Sequence, residues 1–180
     1  MICYQCRSAV IVSLYVNDFL KYGKILINYE VYLMEFEIRE ATITDAEEIY
    51  ILNRDEMGYE FSIEQTREKL IKLFSSGNDK IFVAISENKV VGYAHANDYD
   101  VIYAPHMKNI MGIAVSKDYK HNGIGTALLQ AVEGWAKQTG ASGVRLVSGE
   151  SRTGAHEFYR SCGYEGEKKQ INFKKIFKED

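Results

Sequence analysis

The sequence predicts a mixed α/β fold, and three observations lead to that prediction. An apolar run at Ile110–Val115 is followed by a glycine turn and then by a strongly amphipathic segment that starts at Ile124. Two β-rich runs, Lys80–Ser86 and Lys89–Asn97, are separated by only two residues, which predicts a hairpin. Patterns of the capping-box type precede two further segments and predict helices there. Strands and helices therefore occur in the same chain.

The N-terminal part of this fold is predicted to consist of a strand followed by two helices. Ile38–Thr42 has the pattern of a strand. Capping boxes that begin at Thr44 and at Ser62 each carry Glu or Gln three residues later, and the first predicted helix runs to about Met57. The second helix is expected to direct four apolar residues inward: Ile63, Leu70, Leu73 and Phe74.

The segment from Ile124 has the strongest helical pattern in the chain. Its apolar residues form one continuous stripe: Ile124, Ala127, Leu128, Ala131, Val132, Trp135 and Ala136. Gly140 stands where a glycine commonly ends a helix. The remaining predicted elements are a strand at Gly143–Ser148, a helix at Arg152–Cys162, and a final hairpin of Tyr164–Lys168 with Gln170–Phe177.

Composition limits the class of protein. The chain has 180 residues, enough for one domain with a substantial core, and 46% of them are hydrophobic. The net charge of −3 gives no overall field that would favour nucleic acid or a membrane surface, so neither partner is expected. Cys3 and Cys6 have no second pair of ligands, so no metal is expected. A cytoplasmic location is expected.

Residues 1–33 are interpreted as an N-terminal extension of uncertain status, and residues 34–180 as a single domain. The apolar run Ala9–Val16 is far shorter than the roughly 20 residues that a membrane span needs. One hypothesis places the natural translation start at Met34, four residues before Ile38. The alternative is an added strand or a dimer-contact segment, which leaves a homodimer open.

The glycine turn before the long helix predicts an anion site. Lys120-His121-Asn122-Gly123-Ile124-Gly125 lies between a strand and a helix N-terminus. Backbone N–H groups can approach a ligand there, and the first helical turn has unpaired donors, so phosphate or pyrophosphate is the expected ligand. The dinucleotide fingerprint is excluded because Leu128 occupies its third glycine position, and no mononucleotide loop occurs. A tight connection without a ligand is the alternative.

Two blocks of the sequence resemble the GNAT superfamily of acetyl-CoA-dependent N-acetyltransferases, in its bacterial type. The segment Lys120–Gly125 is similar to the family's Arg/Gln-x-x-Gly-x-Gly/Ala, with lysine at the first position. The segment Arg152–Tyr164 is similar to Asn-x-x-Ala-x-x-Phe-Tyr-x-x-x-Gly-Phe/Tyr, with arginine in place of asparagine. The start at Ile38–Asp45 also resembles many bacterial members. This resemblance implies a GNAT-like mixed, mostly antiparallel sheet that splays between strands four and five and is flanked by helices.

The resemblance also implies acetyl-CoA as the co-substrate. The pantetheine arm is expected to pair with the backbone of the strand that ends at Val115, and the pyrophosphate to bind the loop and helix start. An N–H of this strand, that of Ile113, is the expected oxyanion donor, and Gly112 marks a local bulge or close approach. The implied cofactor-binding residues are Ile113, Ala114, Val115, Lys120, His121, Asn122, Gly123, Ile124, Gly125, Thr126 and Arg152.

Tyr159 matches the tyrosine that acts as general acid in the family. A phenol with a pKa near 10 is protonated at neutral pH, and a thiol titrates near 8.5, so proton transfer to the CoA thiolate is downhill. The alternative is a half-buried aromatic residue without a catalytic role. Asn109 occupies the position at which some relatives carry a glutamate base, so the base is not identified. The candidates are a water chain or one of Glu56, Glu60, His95, Asp98 and His106.

The expected function is transfer of an acetyl group from acetyl-CoA to a primary amine of an unidentified small molecule or protein. A non-catalytic acyl-CoA-binding or sensor domain is the alternative, and a generic nucleotide-phosphate binder is a weaker one. Acceptor choice is expected to lie in Met57–Ser62 and Asn97–Lys108. The polar residues of the second segment either suit a cationic amine or form a solvated loop: Asp98, Tyr99, Asp100 and Tyr103.

Overall fold

The computed structural model describes residues 34–166 and 168–177. The predicted extension 1–33, with Cys3 and Cys6, lies outside the described residues. The chain divides into two compact units, one ending at Arg145 and the other beginning at Leu146. In the parts of the chain that the structure describes, every helix is too short or too polar to span a lipid bilayer.

A five-stranded sheet in the order β1-β2-β3-β4-β5 organises the described residues. The first four strands pair antiparallel, and β4 and β5 run parallel, which confirms the predicted mixed, mostly antiparallel sheet. The elements in chain order are β1 (Glu37–Glu40), α1 (Ala46–Met57), α2 (Ile63–Ser76), β2 (Asp79–Ser86), β3 (Lys89–Val101), β4 (Ala104–Val115), α3 (Ile124–Gln138), β5 (Val144–Leu146) and α4 (Thr153–Ser161).

A buried carboxylate joins β1 to α1. The Asp45 side chain is only 6% exposed and accepts hydrogen bonds from both terminal nitrogens of Arg39, at 2.6 and 2.7 Å, and from the Thr42 N–H at 2.7 Å. Burial alone would raise the Asp45 pKa, but these donors outweigh it and hold the pKa below its ordinary value. The predicted capping box at Thr44 is therefore wrong, because the box forms two residues earlier, between Thr42 and Asp45, on a short 3-10 helix (Ile43–Asp45) that leads into α1.

The second predicted capping box is confirmed. The Gln65 N–H donates to Ser62 Oγ at 3.2 Å, and the Ser62 N–H donates to Gln65 Oε1 at 3.3 Å. The inward face of α2 is only partly as predicted. Leu70 is buried, whereas Phe74 is 39% exposed, because the buried stripe ends one turn before Phe74.

Helices cover both faces of the sheet in the unit that ends at Arg145. Ile81 and Val83 of β2 pack in a core cluster with residues of α1 and α2. Phe82 and Ala84 alternate with them and face the other side, where α3 packs on β2, β3 and β4. The β2–β3 connection is the predicted two-residue turn, and Glu87 and Asn88 both have positive φ there.

The unit that begins at Leu146 contains α4 but not the predicted final hairpin. Residues 164–166 and 168–177, which are described, contain no strand. The large apolar side chains of residues 168–177 are all more than 70% exposed: Ile171, Phe173, Ile176 and Phe177. A two-stranded hairpin is marginal without a buried face to set its register, which accounts for the absence of these strands.

Candidate active site

A β-bulge interrupts β4 at the centre of the sheet. The register with β3 pairs His95 with Gly112 and Ala96 with Ile110, so Met111 is the extra residue. A Cβ added to Gly112 would lie 3.5 Å from the Tyr93 hydroxyl, so the backbone passes close to that side chain. The local irregularity predicted at Gly112 is therefore confirmed. The bulge changes the direction of the backbone that continues into Ile113.

β4 extends beyond the end of its parallel neighbour. The Lys108 N–H donates to the Gly143 carbonyl at 3.0 Å, so β5 runs beside the residues that follow Lys108. β5 has only three residues, whereas β4 continues to Val115. The backbone of Ile113, Ala114 and Val115 therefore lies past the end of β5. The backbone of these three residues therefore has no hydrogen-bonded neighbour in β5.

A carboxylate at the end of α1 holds the loop that follows β4. Glu56 accepts hydrogen bonds from the Lys117 N–H at 2.7 Å and from Lys120 Nζ at 2.6 Å. Burial acts to raise the Glu56 pKa, but Lys120 and the Lys117 N–H outweigh it and hold the pKa below its ordinary value. Glu56 is therefore ionised and tied to the loop, which makes it a poor proton acceptor. Lys120, predicted only as a phosphate contact, also fixes the loop.

The start of α3 has the backbone conformation of an anion cradle. Gly123 is the N-cap with φ of 80°, and His121 has φ of 64°, both in the left-handed region. Within α3, the first N–H to bond a helix carbonyl is that of Ala127, which donates to Gly123 at 3.0 Å. The N–H groups of Ile124 and Gly125 therefore have no partner within the helix.

The cradle is preformed by its own packing. The Asn122 side-chain amide donates to the carbonyls of Tyr119 and Lys120, at 3.3 and 3.1 Å. Beneath the helix start, a Cβ added to Gly92 would lie 3.0 Å from the Ala114 carbonyl oxygen and 3.3 Å from the Ile124 side chain. Glycine at position 92 therefore allows β3 to approach β4 and α3 closely.

Both aspartates of the predicted acceptor segment are already paired with bases. Lys108, only 2% exposed, donates through Nζ to Asp98 and lies 3.8 Å from the centroid of the Trp135 ring. His106 lies 2.8 Å from Asp100 and 3.7 Å from Asp98. These carboxylates are therefore not available as a simple acidic surface for a cationic acceptor.

His95 is oriented by a carboxylate on the face of the sheet that carries Tyr93. Its Nε2 lies 2.8 Å from Asp79 Oδ1, and its backbone is directly opposite Gly112. Both side chains are mostly buried, 18% exposed for His95 and 13% for Asp79. His95 and Tyr93 also line a cavity of about 140 Å³ between the sheet and the first two helices.

Sequence reasoning did not identify Arg145. Its Nη1 donates to Asn109 Oδ1 at 2.6 Å, and its guanidinium lies 4.2 Å from the centroid of the Tyr99 ring. The Asn109 amide in turn contacts Met111 Sδ at 3.0 Å, which places this group next to the bulge. Arg145 belongs to no motif and to a strand of three residues, so no local pattern indicated it.

Tyr159 and Arg152 belong to the unit that begins at Leu146. Arg152 is the N-cap of α4, and the half-buried Tyr159 ring lies 5.3 Å from Phe158 and 6.2 Å from Tyr164, between centroids. Burial raises the Tyr159 pKa above its ordinary value, and the Arg152 charge only partly opposes this. The phenol is therefore protonated at neutral pH. Among the described residues its hydroxyl has no hydrogen-bond partner.

Most of the predicted cofactor-binding residues are close together in sequence and in structure. The unit that ends at Arg145 contains those of β4, the loop and the start of α3, whereas Arg152 lies in the other unit with Tyr159. Within the described ranges, no group of three or more His, Cys, Asp or Glu side chains is placed to hold a metal ion.

Comparison with known sequences identifies related proteins. Residues 46–164 match the model of the acetyltransferase (GNAT) family. An N-alpha-acetyltransferase of Sulfurisphaera tokodaii is 30% identical over 142 residues, which cover 72% of this chain and 80% of that protein. An uncharacterized N-acetyltransferase of Methanocaldococcus jannaschii is 34% identical over 95 residues, which cover 52% of this chain and 42% of that protein. The chain therefore spans less than half the length of the second relative.

Solved structures share the fold. An aminoglycoside N-acetyltransferase in complex with CoA has a TM-score of 0.72 at 17% identity, with 79% of this chain and 95% of that chain covered. An aminoglycoside acetyltransferase from an uncultured soil metagenomic sample, in complex with trehalose, has a TM-score of 0.70 at 26% identity. The match covers 79% of this chain and 97% of that chain.

Proposed function

Because this chain belongs to the GNAT family of acetyltransferases, we propose that it transfers the acetyl group of acetyl-CoA to an amine. The observation that carries the proposal is the preformed cradle at the start of α3. Its N–H groups at Ile124 and Gly125, with the helix dipole behind them, suit the negative charge of a pyrophosphate. The N-alpha-acetyltransferase relative and the CoA-bound structural neighbour support the same assignment.

In this proposal different residues bind different parts of acetyl-CoA. The loop from Lys120 to Thr126 holds the pyrophosphate, and the backbone of Ile113–Val115 pairs with the pantetheine arm as a peptide pairs with a sheet edge. Arg152 adds positive charge. The Ile113 N–H, which follows the bulge, stabilises the negative charge that develops on the thioester carbonyl oxygen.

Two side chains move protons in the proposed reaction. Tyr159 donates its proton to the departing CoA thiolate, which its raised pKa permits at neutral pH. His95 accepts the proton of the attacking amine, directly or through water. When the His95 Nε2–H donates to Asp79, Nδ1 is left as the proton acceptor. Its position opposite Gly112 favours His95 over Glu56 and Asp98, which are bound by lysines.

An amine-panel assay tests the proposed function. The full chain is incubated with acetyl-CoA and a set of amino acids, peptides, polyamines and aminoglycosides, and free CoA thiol is detected at several pH values. We expect thiol release that depends on the amine and rises with pH as the amine loses its proton. A sensor domain would instead bind acetyl-CoA without amine-dependent release, and that result would contradict the proposal.

Replacing Gly123 with alanine is expected to weaken acetyl-CoA binding roughly tenfold. A non-glycine residue in the left-handed conformation costs about 1–2 kcal/mol, and relief of that strain turns the cradle N–H groups away from the phosphate. The measurement is calorimetric titration with acetyl-CoA. The matched control is Gly134→Ala in the same helix, where an added Cβ meets nothing within 4 Å. Equal dissociation constants for the two variants would contradict the cradle.

A further inference from the structure

A strip of polar and aromatic side chains lies beside the bulge on one face of the sheet. We call it the acceptor strip; it comprises His95, Asn97 and Tyr99 of β3, Asn109 of β4 and Arg145 of β5. The three β3 residues alternate along one strand and therefore share a face, and Asn97 pairs directly with Asn109. Tyr93, two residues before His95 on the same face, contacts Asn53 and Met57 of α1. The acceptor strip therefore lies on the same face of the sheet as α1 and follows Tyr93 along β3.

Arg145 contributes the positive charge of the acceptor strip. It is half-buried, and no carboxylate of the described residues lies within 4 Å of its guanidinium. By contrast, Arg39 and Arg54 each bind an aspartate. The two contacts of Arg145, with Asn109 and Tyr99, are with neutral groups and occupy one of its five N–H donors. The guanidinium therefore keeps donors for an anion.

The acidic side chains around the strip contact residues other than Arg145. Asp98 is bound by Lys108, Asp79 hydrogen-bonds to His95, and Asp100 hydrogen-bonds to His106. In addition, Asn97 Oδ1 is buried and has no hydrogen-bond partner in the described part of the chain. The polar groups of the strip are therefore not fully satisfied by one another.

We propose that the acceptor is an amine that also carries a carboxylate, and that Arg145 binds this carboxylate. This inference rests on the proposed function. A planar guanidinium fork matches a carboxylate with two parallel hydrogen bonds. Asn109, which Arg145 contacts, precedes the bulge residue Met111 by two positions, roughly 7 Å of strand. The amine and the carboxylate are thus a few bonds apart, as in a free amino acid or in a peptide whose first residue is acidic. A polycationic aminoglycoside would be repelled.

Binding of acetylated products tests this inference without requiring turnover. Protein saturated with CoA is titrated calorimetrically with N-acetylalanine, N-acetylleucine and N-acetyllysine, each against its carboxamide. N-acetylglutamyl-alaninamide is titrated against N-acetylglutaminyl-alaninamide. The first set probes free amino acids and the second probes peptides with an acidic first residue. In at least one pair, the dissociation constant of the carboxylate should be lower than that of the amide by about tenfold or more, as expected for charged hydrogen bonds.

The variant Arg145→Gln should abolish that preference and leave the binding of the carboxamides unchanged. Arg145→Lys, which keeps the positive charge but loses the planar guanidinium, should retain part of the preference for carboxylates. Arg67→Gln, an exposed arginine on α2, is the matched control and should behave as the wild type. Thermal melting of each variant shows that it is folded.

The inference would be overturned if no carboxylate exceeded its amide in the wild type, or if Arg145→Gln weakened both members of a pair alike. Failure of the proposed function has a different signature. In that case no amine releases CoA thiol, while the preference for carboxylates that depends on Arg145 persists and supports the site.

Discussion

The Tyr159→Phe variant is expected to turn over about 10- to 1000-fold more slowly than the wild type, a loss typical of removing a general acid. Only the hydroxyl is removed, so the ring contacts with Phe158 and Tyr164 are kept. Acetyl-CoA affinity should be unchanged, because the cradle on α3 does not include this side chain. The pH profile is also informative. Since burial raises the Tyr159 pKa, the wild type should lose activity only at strongly alkaline pH, and the variant should lack that decline.

Steady-state kinetics with calorimetric titration of acetyl-CoA measure both effects, and pre-steady-state thiol release shows whether chemistry limits the rate. Tyr164→Phe is the matched control, because it removes a hydroxyl from the neighbouring aromatic residue. Its turnover should stay within about twofold of the wild type, the small effect expected outside the acid–base groups. Unchanged turnover in Tyr159→Phe, with chemistry limiting the rate, would rule out the acid role.

The His95→Gln variant is expected to lower kcat/KM about 100-fold near neutral pH, within the usual contribution of a general base. Glutamine can still hydrogen-bond to Asp79 but cannot take up a proton. The measurement is kcat/KM across the pH range with the best amine of the panel.

Two further variants separate catalysis by His95 from a structural role. His106→Gln removes another imidazole that is bound to an aspartate, and its pH profile should match the wild type. Asp79→Asn should lower kcat/KM by less than His95→Gln does, because Asp79 only orients the imidazole. A kcat/KM of His95→Gln within about twofold of the wild type, with the variant folded, would contradict the role of base.

Local patterns sufficed for most of the fold. The stripe from Ile124 to Ala136 predicted α3, and the two residues between the β-rich runs predicted the hairpin turn at Glu87 and Asn88. Gly140, with φ of 73°, follows the helix end as expected. The predictions that failed depended on burial. The buried Asp45, and not Thr44 as predicted, lies at the start of α1. The predicted C-terminal hairpin has no buried face to stabilise it.

The candidate site was predictable only where its chemistry depends on the backbone. The cradle at Gly123 and the irregularity at Gly112 could be recognised because glycine in a strand–turn–helix sequence has a direct conformational meaning. The role of Glu56 could not be predicted from local sequence, because the hydrogen bond from Lys120 joins residues 64 positions apart. The same applies to Arg145, which meets Asn109 across 36 positions.

Neighbouring residues and short motifs therefore specify the α/β class, the helix boundaries near the cradle and the family. The partners of the charged side chains depend instead on tertiary contacts. Lys108 binds Asp98, Asp79 orients His95, and Arg145 has no acidic partner within residues 34–166 and 168–177. Strand register and helix packing bring these side chains within hydrogen-bond distance, and local sequence does not encode those pairings.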